Sequence, residues 1–371
     1  MRPLDLAVKG VQALSPYVPG KPISELEREL GIRDIVKLAS NENPLGPSPL
    51  ALEAAARTLP DLHLYPDGGG FELKAALAEK LGVRSDQITL GNGSNDVLDM
   101  LARAFLGPSQ SAVFSEYAFA VYPIVTQAVG AAGLVAPAHD GTRGPHYGHD
   151  LAAMARAIRP DTRVVFIANP NNPTGTYLNR TELDAFLRAL PSHIIPVIDE
   201  AYFEYVHQPD YPDALEWLAA IPNLVVTRTF SKAYGLAGLR VGYAVSNPEL
   251  ADILNRVRQP FNVNTLAMAA ACAALDDSAH LQRGLTLNDE GLALLEAALR
   301  SRGLAVIPSV GNFLSFDIGR PAMPVYDALL RQGVIVRPIG NYGLPNHLRV
   351  TIGTAADNQA FIDALDRVLA E

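Results

Sequence analysis

Phe230-Ser231-Lys232-Ala233-Tyr234-Gly235-Leu236-Ala237-Gly238-Leu239-Arg240-Val241-Gly242-Tyr243 is the stretch from which the rest of the chain is read. It sets one lysine directly after two hydroxyl residues, Thr229 and Ser231, and an arginine eight positions further on. A lysine amine is nucleophilic near neutral pH only where a partly desolvated pocket keeps it uncharged. The glycines and alanines that follow let a flat group come close to the backbone. Hydroxyls and a guanidinium at this spacing suit a phosphate dianion, which arginine grips with its planar fork.

Apolar runs of strand length flank this stretch, at residues 224–229 and 241–245. Similar runs stand at 88–90, 112–114, 164–168 and 194–198, separated by helical stretches. Continuous rather than alternating apolar runs mark strands buried on both faces, so the middle of the chain predicts a mostly parallel α/β sheet. Ahead of it, a helix is expected over 23–30, with Ser24 as N-cap and Gly31 as its stop. Further helices are expected over 50–58, 72–81 and 96–105. Past Phe261 the pattern changes. One long helical stretch is predicted from 265 to about 302, then short strands at 305–307, 313–316, 334–337 and 348–352, and a closing helix over 358–369. These elements predict a smaller α+β domain shared with the N-terminal segment. The expected division is 1–44 (N-terminal segment joining the small domain), 45–265 (large domain) and 266–371 (small domain).

The 371 residues are 49% hydrophobic and 19% charged, a globular composition with room for a large core. The net charge of −9 and the lack of a basic run argue against nucleic acid as a partner. One cysteine, Cys272, excludes an internal disulfide and a Cys-rich metal site, and no metal is expected. The apolar run around it, 266–275, is too short to span a bilayer. The start, Met1-Arg2-Pro3-Leu4-Asp5-Leu6, lacks the apolar core of a signal peptide, so a cytoplasmic protein without membrane contact is expected.

Three more motifs follow predicted strands, where α/β sheets place their ligands. Gly93-Ser94-Asn95 opens a helix, whose free amides and positive dipole end suit a phosphate. Asn169-Pro170-Asn171-Asn172-Pro173-Thr174-Gly175 is a loop fixed by two prolines and a glycine. Asp199-Glu200-Ala201-Tyr202 ends an apolar strand with a carboxylate, which is costly there unless it is paired.

In this order the motifs resemble the fold-type I pyridoxal 5'-phosphate (PLP) dependent aminotransferases, and within them the histidinol-phosphate aminotransferases. The likeness extends to Ser40-Asn41-Glu42-Asn43-Pro44, Tyr65-Pro66-Asp67-Gly68 and Leu348-Arg349-Val350-Thr351-Ile352-Gly353. It implies a large domain with a mostly parallel seven-stranded sheet, and a smaller α+β domain. It also implies roles. Lys232 would hold PLP through its amine and then shuttle the substrate proton. Asp199 would pair with the pyridine nitrogen, and Asn172 and Tyr202 would reach the ring oxygen. Gly93, Ser94, Asn95, Thr229, Ser231 and Arg240 would bind the phosphate, with Tyr65 reaching it from the partner of a homodimer.

For the ring face, the family's Tyr-x-x-Tyr spacing falls on Phe119 and Tyr122, with Tyr117 nearby. Phe119 is the expected stacking residue, because stacking needs a ring and not a hydroxyl. Arg349 and Arg337 would take the substrate anion, with Tyr17 and Asn43 lining the substrate pocket. An arginine accepts carboxylate or phosphate alike, as a site serving both glutamate and histidinol phosphate requires. The implied reaction converts histidinol phosphate and 2-oxoglutarate to imidazole-acetol phosphate and glutamate. An aromatic amino acid aminotransferase and a threonine-phosphate decarboxylase are the alternatives.

Overall fold

A computed structural model describes residues 2–370. Met1 and Glu371, the outermost residues of the expected N-terminal segment and small domain, lie outside the described residues. In chain order the strands are β1 (Val36–Lys37), β2 (Ile88–Gly91), β3 (Ser111–Ser115), β4 (Ala132–Ala136), β5 (Thr162–Ala168), β6 (Ile195–Asp199), β7 (Val225–Thr229) and β8 (Gly242–Ser246). Then follow β9 (Ala305–Ile307), β10 (Phe313–Asp317), β11 (Val334–Ile335), β12 (Arg337–Pro338) and β13 (His347–Thr351).

Strands β2 to β8 form one seven-stranded sheet in the order β2-β8-β7-β6-β5-β3-β4. Only β8 runs against its neighbours. The apolar runs explain why helices cover both faces. Val164 and Phe166 of β5 enter the same buried cluster as the helix Ser94–Phe105, whereas Val165 and Ile167 point to the other face, against Phe186 and Trp217. Each such side chain contributes about 1.5–3 kcal/mol by leaving water. Because β2, β5, β6 and β7 run in one direction, their C-terminal ends share one edge of the sheet. That edge receives all the loop motifs.

β4 is the one strand of this sheet that the sequence reading does not expect. It lies at the sheet edge, where only Leu134 and Ala136 are buried, so three of its five residues face water. Gly133 lets it approach the Phe114 ring, which a Cβ there would meet at 2.8 Å.

Three boundaries differ from expectation. Pro22, not Ser24, caps the helix Ile23–Leu30, which Gly31 closes in the left-handed region (φ 67°). The long helix after 265 is two helices, Thr265–Asp276 and Ser278–Ser301, broken at Asp277. The Asp277 carboxylate accepts from the His280 amide (3.0 Å) and from the Ser48 hydroxyl, so it caps the second helix. Lastly, the run 334–337 is divided between two sheets. β11 pairs in parallel with β1, and β12 pairs with β13 in the antiparallel four-stranded sheet β12-β13-β10-β9.

The first of the two helices packs on the helices Pro49–Arg57 and Phe71–Leu81, beside the large sheet. The second packs on β9 and β10 of the small sheet. The N-terminal segment is divided likewise. Gly10 lies against the helix Val121–Ala128, accepting from Gln127 Nε2 at 3.1 Å, whereas Leu26 and Ala39 pack with Leu330 and Ile335.

Candidate active site

A cavity of about 260 Å³ opens at the shared strand edge, against the small sheet. Tyr17, Ser94, Asn95, Phe119, Asn172, Asp199, Tyr202, Thr229, Ser231, Lys232, Arg240, Arg337 and Arg349 all line it. Residues drawn from more than 300 positions of sequence thus converge on one space.

Lys232 follows β7 on the turn that the Gly- and Ala-rich stretch permits. Its Nζ donates to the Ser40 carbonyl at 3.0 Å. Burial, reinforced by the charges of Arg349 and Arg240, lowers its pKa from 10.5 to about 7. That is the partly neutral amine a nucleophile requires.

Asp199 closes β6, with less than a tenth of its surface exposed. Burial pushes its carboxyl upward in pKa, and two hydroxyls oppose that shift. Tyr122 donates to Oδ2 at 2.8 Å, and Thr227 to Oδ1 at 2.9 Å. Both donors are neutral, so the carboxylate has no counter-charge of its own. Strand alternation sends the neighbouring charges the other way. Glu200 takes Nε and Nη2 of Arg228 at 2.9 and 2.7 Å behind the sheet, and the Arg228 guanidinium lies 3.6 Å from the centre of the Phe203 ring.

The Tyr202 hydroxyl accepts from Asn41 Nδ2 at 2.8 Å and from Asn172 Nδ2 at 3.2 Å, and burial drives its pKa up to about 12. Asn172 in turn accepts from Arg349 Nη1 at 2.6 Å.

On the far side, the helix Ser94–Phe105 begins with amides that have no acceptor within the helix. Arg240 Nη1 donates to Ser231 Oγ at 3.2 Å and to the Ala237 carbonyl at 3.1 Å. Gly93 does not line the cavity, but its φ of 81° and the space beside it make the corner. A Cβ there would lie 2.2 Å from Arg240 Nη2. A Cβ on Gly242 would come within 2.5 Å of the Ser94 amide. Amides, hydroxyls and guanidinium therefore form a cradle that any added methyl would fill. This cradle, the buried amine and the carboxylate without a counter-charge fit the phosphate, carbonyl and pyridine nitrogen of PLP in turn.

A second anion pole lies on the small-sheet side. Arg337 and Arg349 are direct cross-strand partners on β12 and β13. Like charges placed so repel, and an anion between them would relieve it. Arg349 Nη2 is held by the Ala39 carbonyl at 2.8 Å and Arg337 Nη2 by that of Val18, while Arg349 Nε is buried without a partner.

Two expected residues lie elsewhere. Asn43 is not on the cavity wall. Its amide is committed to the Ala233 carbonyl (2.9 Å) and the Leu45 amide (2.9 Å), so it supports the lysine turn instead of meeting substrate. Tyr65 is 82% exposed, stacked on Phe261 at 4.7 Å, amid the exposed apolar residues Leu59, Leu62, Leu64 and Phe71. The aromatic cluster divides its tasks. Phe119 lines the cavity, Tyr122 turns inward to Asp199, and Tyr117 packs edge-on to Tyr147 at 5.3 Å. Sequence reasoning gave no role to Tyr122, Thr227, Ser40 or Asn41, because each acts through a partner that only the fold brings near.

Among known protein families, the model "Aminotransferase class I and II" matches residues 33–365. "Histidinol-phosphate aminotransferase 2" of Methylococcus capsulatus is 69% identical over 364 residues, covering 98% of each chain. The protein of the same name from Pseudomonas fluorescens is 62% identical over 369 residues, covering 99% of this chain and 98% of the relative. Among solved structures, histidinol-phosphate aminotransferase from Sinorhizobium meliloti in complex with pyridoxal-5'-phosphate has a TM-score of 0.89 at 30% identity, covering 98% of this chain and 97% of its own. By family model and by relatives matched end to end, the chain belongs to the class I and II aminotransferases.

Proposed function

We propose that this enzyme uses PLP to move the amino group of histidinol phosphate to 2-oxoglutarate, giving imidazole-acetol phosphate and glutamate. The observation that carries the substrate reading is the second anion pole. The Arg337–Arg349 pair shares a cavity with Lys232 yet stands apart from the Arg240 cradle. Such a pole accepts the phosphate of one substrate and the carboxylate of the other. The named relatives support the same choice.

Bound PLP supplies an electron sink for the charge left when the substrate Cα loses its proton. The chain supplies the rest. Ser94, Asn95, Thr229, Ser231 and Arg240 hold the phosphate end. Phe119 would pack on the ring, and Asn172 and Tyr202 would hold the ring oxygen. Asp199, whose ionised form the Tyr122 and Thr227 hydroxyls favour, would hold a proton on the pyridine nitrogen. Lys232 Nζ, neutral for part of the time near pH 7, takes the proton from Cα and returns it. Arg349, Arg337 and Tyr17 orient the substrate.

Tyr65, exposed within an apolar surface, acts in the partner's site of a homodimer. We place the change from large to small domain at Asp277 and not at 265/266, because the helix Thr265–Asp276 packs on the helices Pro49–Arg57 and Phe71–Leu81 beside the large sheet.

An absorbance titration of the PLP-loaded enzyme tests the reading. Micromolar histidinol phosphate is expected to bleach the cofactor band, with phenylalanine, tyrosine and threonine phosphate far less effective. Bleaching led by phenylalanine or tyrosine would make it an aromatic aminotransferase, and release of carbon dioxide from threonine phosphate a decarboxylase.

A further inference from the structure

Glu42 is an acid on the cavity wall to which the mechanism gives no task. Only two carboxylates line that wall, Glu42 and Asp199, against Lys232, Arg240, Arg337 and Arg349. Asp199 is buried and occupied by two hydroxyls. The Glu42 side chain is half-exposed, with its two oxygens 2.6 and 2.9 Å from Lys37 Nζ.

Its place along the chain is informative. Ser40 accepts from Lys232 Nζ and Asn41 donates to Tyr202, so the 40–42 backbone passes beside the reacting amine, with Glu42 next in line. Its charge is felt there, since it opposes the cationic neighbours that lower the Lys232 pKa.

A substrate with an anionic end, an amine and an imidazole finds arginines for the first, and for the second the place beside Lys232 where the cofactor's carbonyl end would be held. For the ring, the cavity offers a flat face at Tyr17 and the Glu42 carboxylate, half-exposed, each oxygen of which keeps a lone pair beyond its bond to Lys37. The geometry points to Glu42 as the specificity residue that accepts a hydrogen bond from the ring N–H of the substrate and so separates imidazole from phenyl. This inference rests on the transamination of an imidazole-bearing substrate proposed above. A site built to hydrogen-bond a ring N–H rejects the analogue lacking it, because the acceptor is then left without a partner. For glutamate the same acid has the opposite sign: its charge repels the side-chain carboxylate, an effect Lys37 offsets.

The two half-reactions, followed separately by cofactor absorbance in holoenzyme, test this. Glu42→Ala is measured alongside Lys37→Met/Glu42→Ala, which removes the ammonium that the single variant leaves unpaired. Histidinol phosphate is expected to lose roughly ten- to a hundredfold in kcat/KM in both variants, the size of a charge-assisted bond. Phenylalanine and glutamate should change by less than about threefold or improve. Equal losses on all three substrates would place Glu42 behind Lys232 and overturn the inference. Restoration by the double variant would trace the loss to an unpaired Lys37 and overturn it equally, and so would an undiminished histidinol phosphate reaction. If the unmodified enzyme fails to turn over histidinol phosphate, the functional reading falls first and this inference with it.

Discussion

Tyr122 donates its hydroxyl to Asp199 at 2.8 Å from inside the sheet core, its ring stacked on Phe166 at 4.9 Å. A buried carboxylate that must stay ionised is thus supported by a side chain with no view of the cavity. Of the two bonds that hold the Asp199 pKa down, this one counts for more.

Tyr122→Phe removes that bond and keeps the ring. The Asp199 carboxyl should move further up in pKa and hold a pyridinium less well. PLP affinity should fall by about five- to tenfold, the worth of about 1–1.5 kcal/mol. Equilibrium dialysis of PLP against the variant measures it, and an unchanged affinity would show that Thr227 alone suffices.

Lys232 gives a pH dependence with a definite sign. Its amine is neutral above about 7 in the folded protein, whereas the free value is 10.5. The rate at which cofactor-free enzyme captures PLP, read by stopped-flow absorbance, should therefore rise through about pH 7. Between about 7 and 10.5 the unfolded amine binds more proton than the folded one, so folding stability rises with pH in that window. Urea unfolding of the cofactor-free protein should show this rise, and Lys232→Met should lack it.

Gly93→Ala should spoil the phosphate corner twice over. The φ of 81° is strained for any residue with a Cβ, and the added methyl would overlap Arg240. Arg240 Nη1 is held by Ser231 Oγ and the Ala237 carbonyl, so the guanidinium withdraws only by giving up those bonds. A loss of about five- to 150-fold in PLP affinity is expected from about 1–3 kcal/mol of strain. Inorganic phosphate should lose protection of the cofactor-free enzyme in parallel.

Tyr65 offers a test of shared sites. Tyr65→Ala and Lys232→Ala should each be poor catalysts alone. Mixed and re-annealed, they should regain activity, because one site of each hybrid combines an intact Lys232 with the partner's intact tyrosine. Mixtures no better than their components would confine Tyr65 to its own subunit.

The site was legible in the sequence where chemistry and strand ends coincide. Lys232, Asp199 and Asn172 stand in loops after apolar strands, so their types and places were readable together. Tyr122 escaped because its partner lies 77 residues away and the spacing around it fitted two aromatics equally well. Asn43 misled in the opposite sense: it belongs to the Asn-Glu-Asn-Pro stretch, yet its amide spends its bonds on Ala233 and Leu45. β4 and the break at Asp277 were hidden for a simpler reason. β4 reads Ala-Gly-Leu-Val-Ala, whose alanines and glycine give little strand propensity, and one capping aspartate divides two helices without proline or glycine to mark it.

The wall over Lys232 is fastened to the far end of the chain. Leu38 accepts from the Thr351 amide at 2.9 Å, Ala39 from Arg349, and the Asn41 amide donates to Thr351 Oγ1 at 2.9 Å. A ribosome makes residue 41 a full 310 residues before Thr351 of β13. A nascent chain already holding its large sheet and its lysine would therefore still lack the ceiling and the substrate arginines until translation passes residue 351. Domains settle in order of synthesis. The step that turns this protein into an enzyme waits for β13, and a product cut short before it would be a sheet without a workplace.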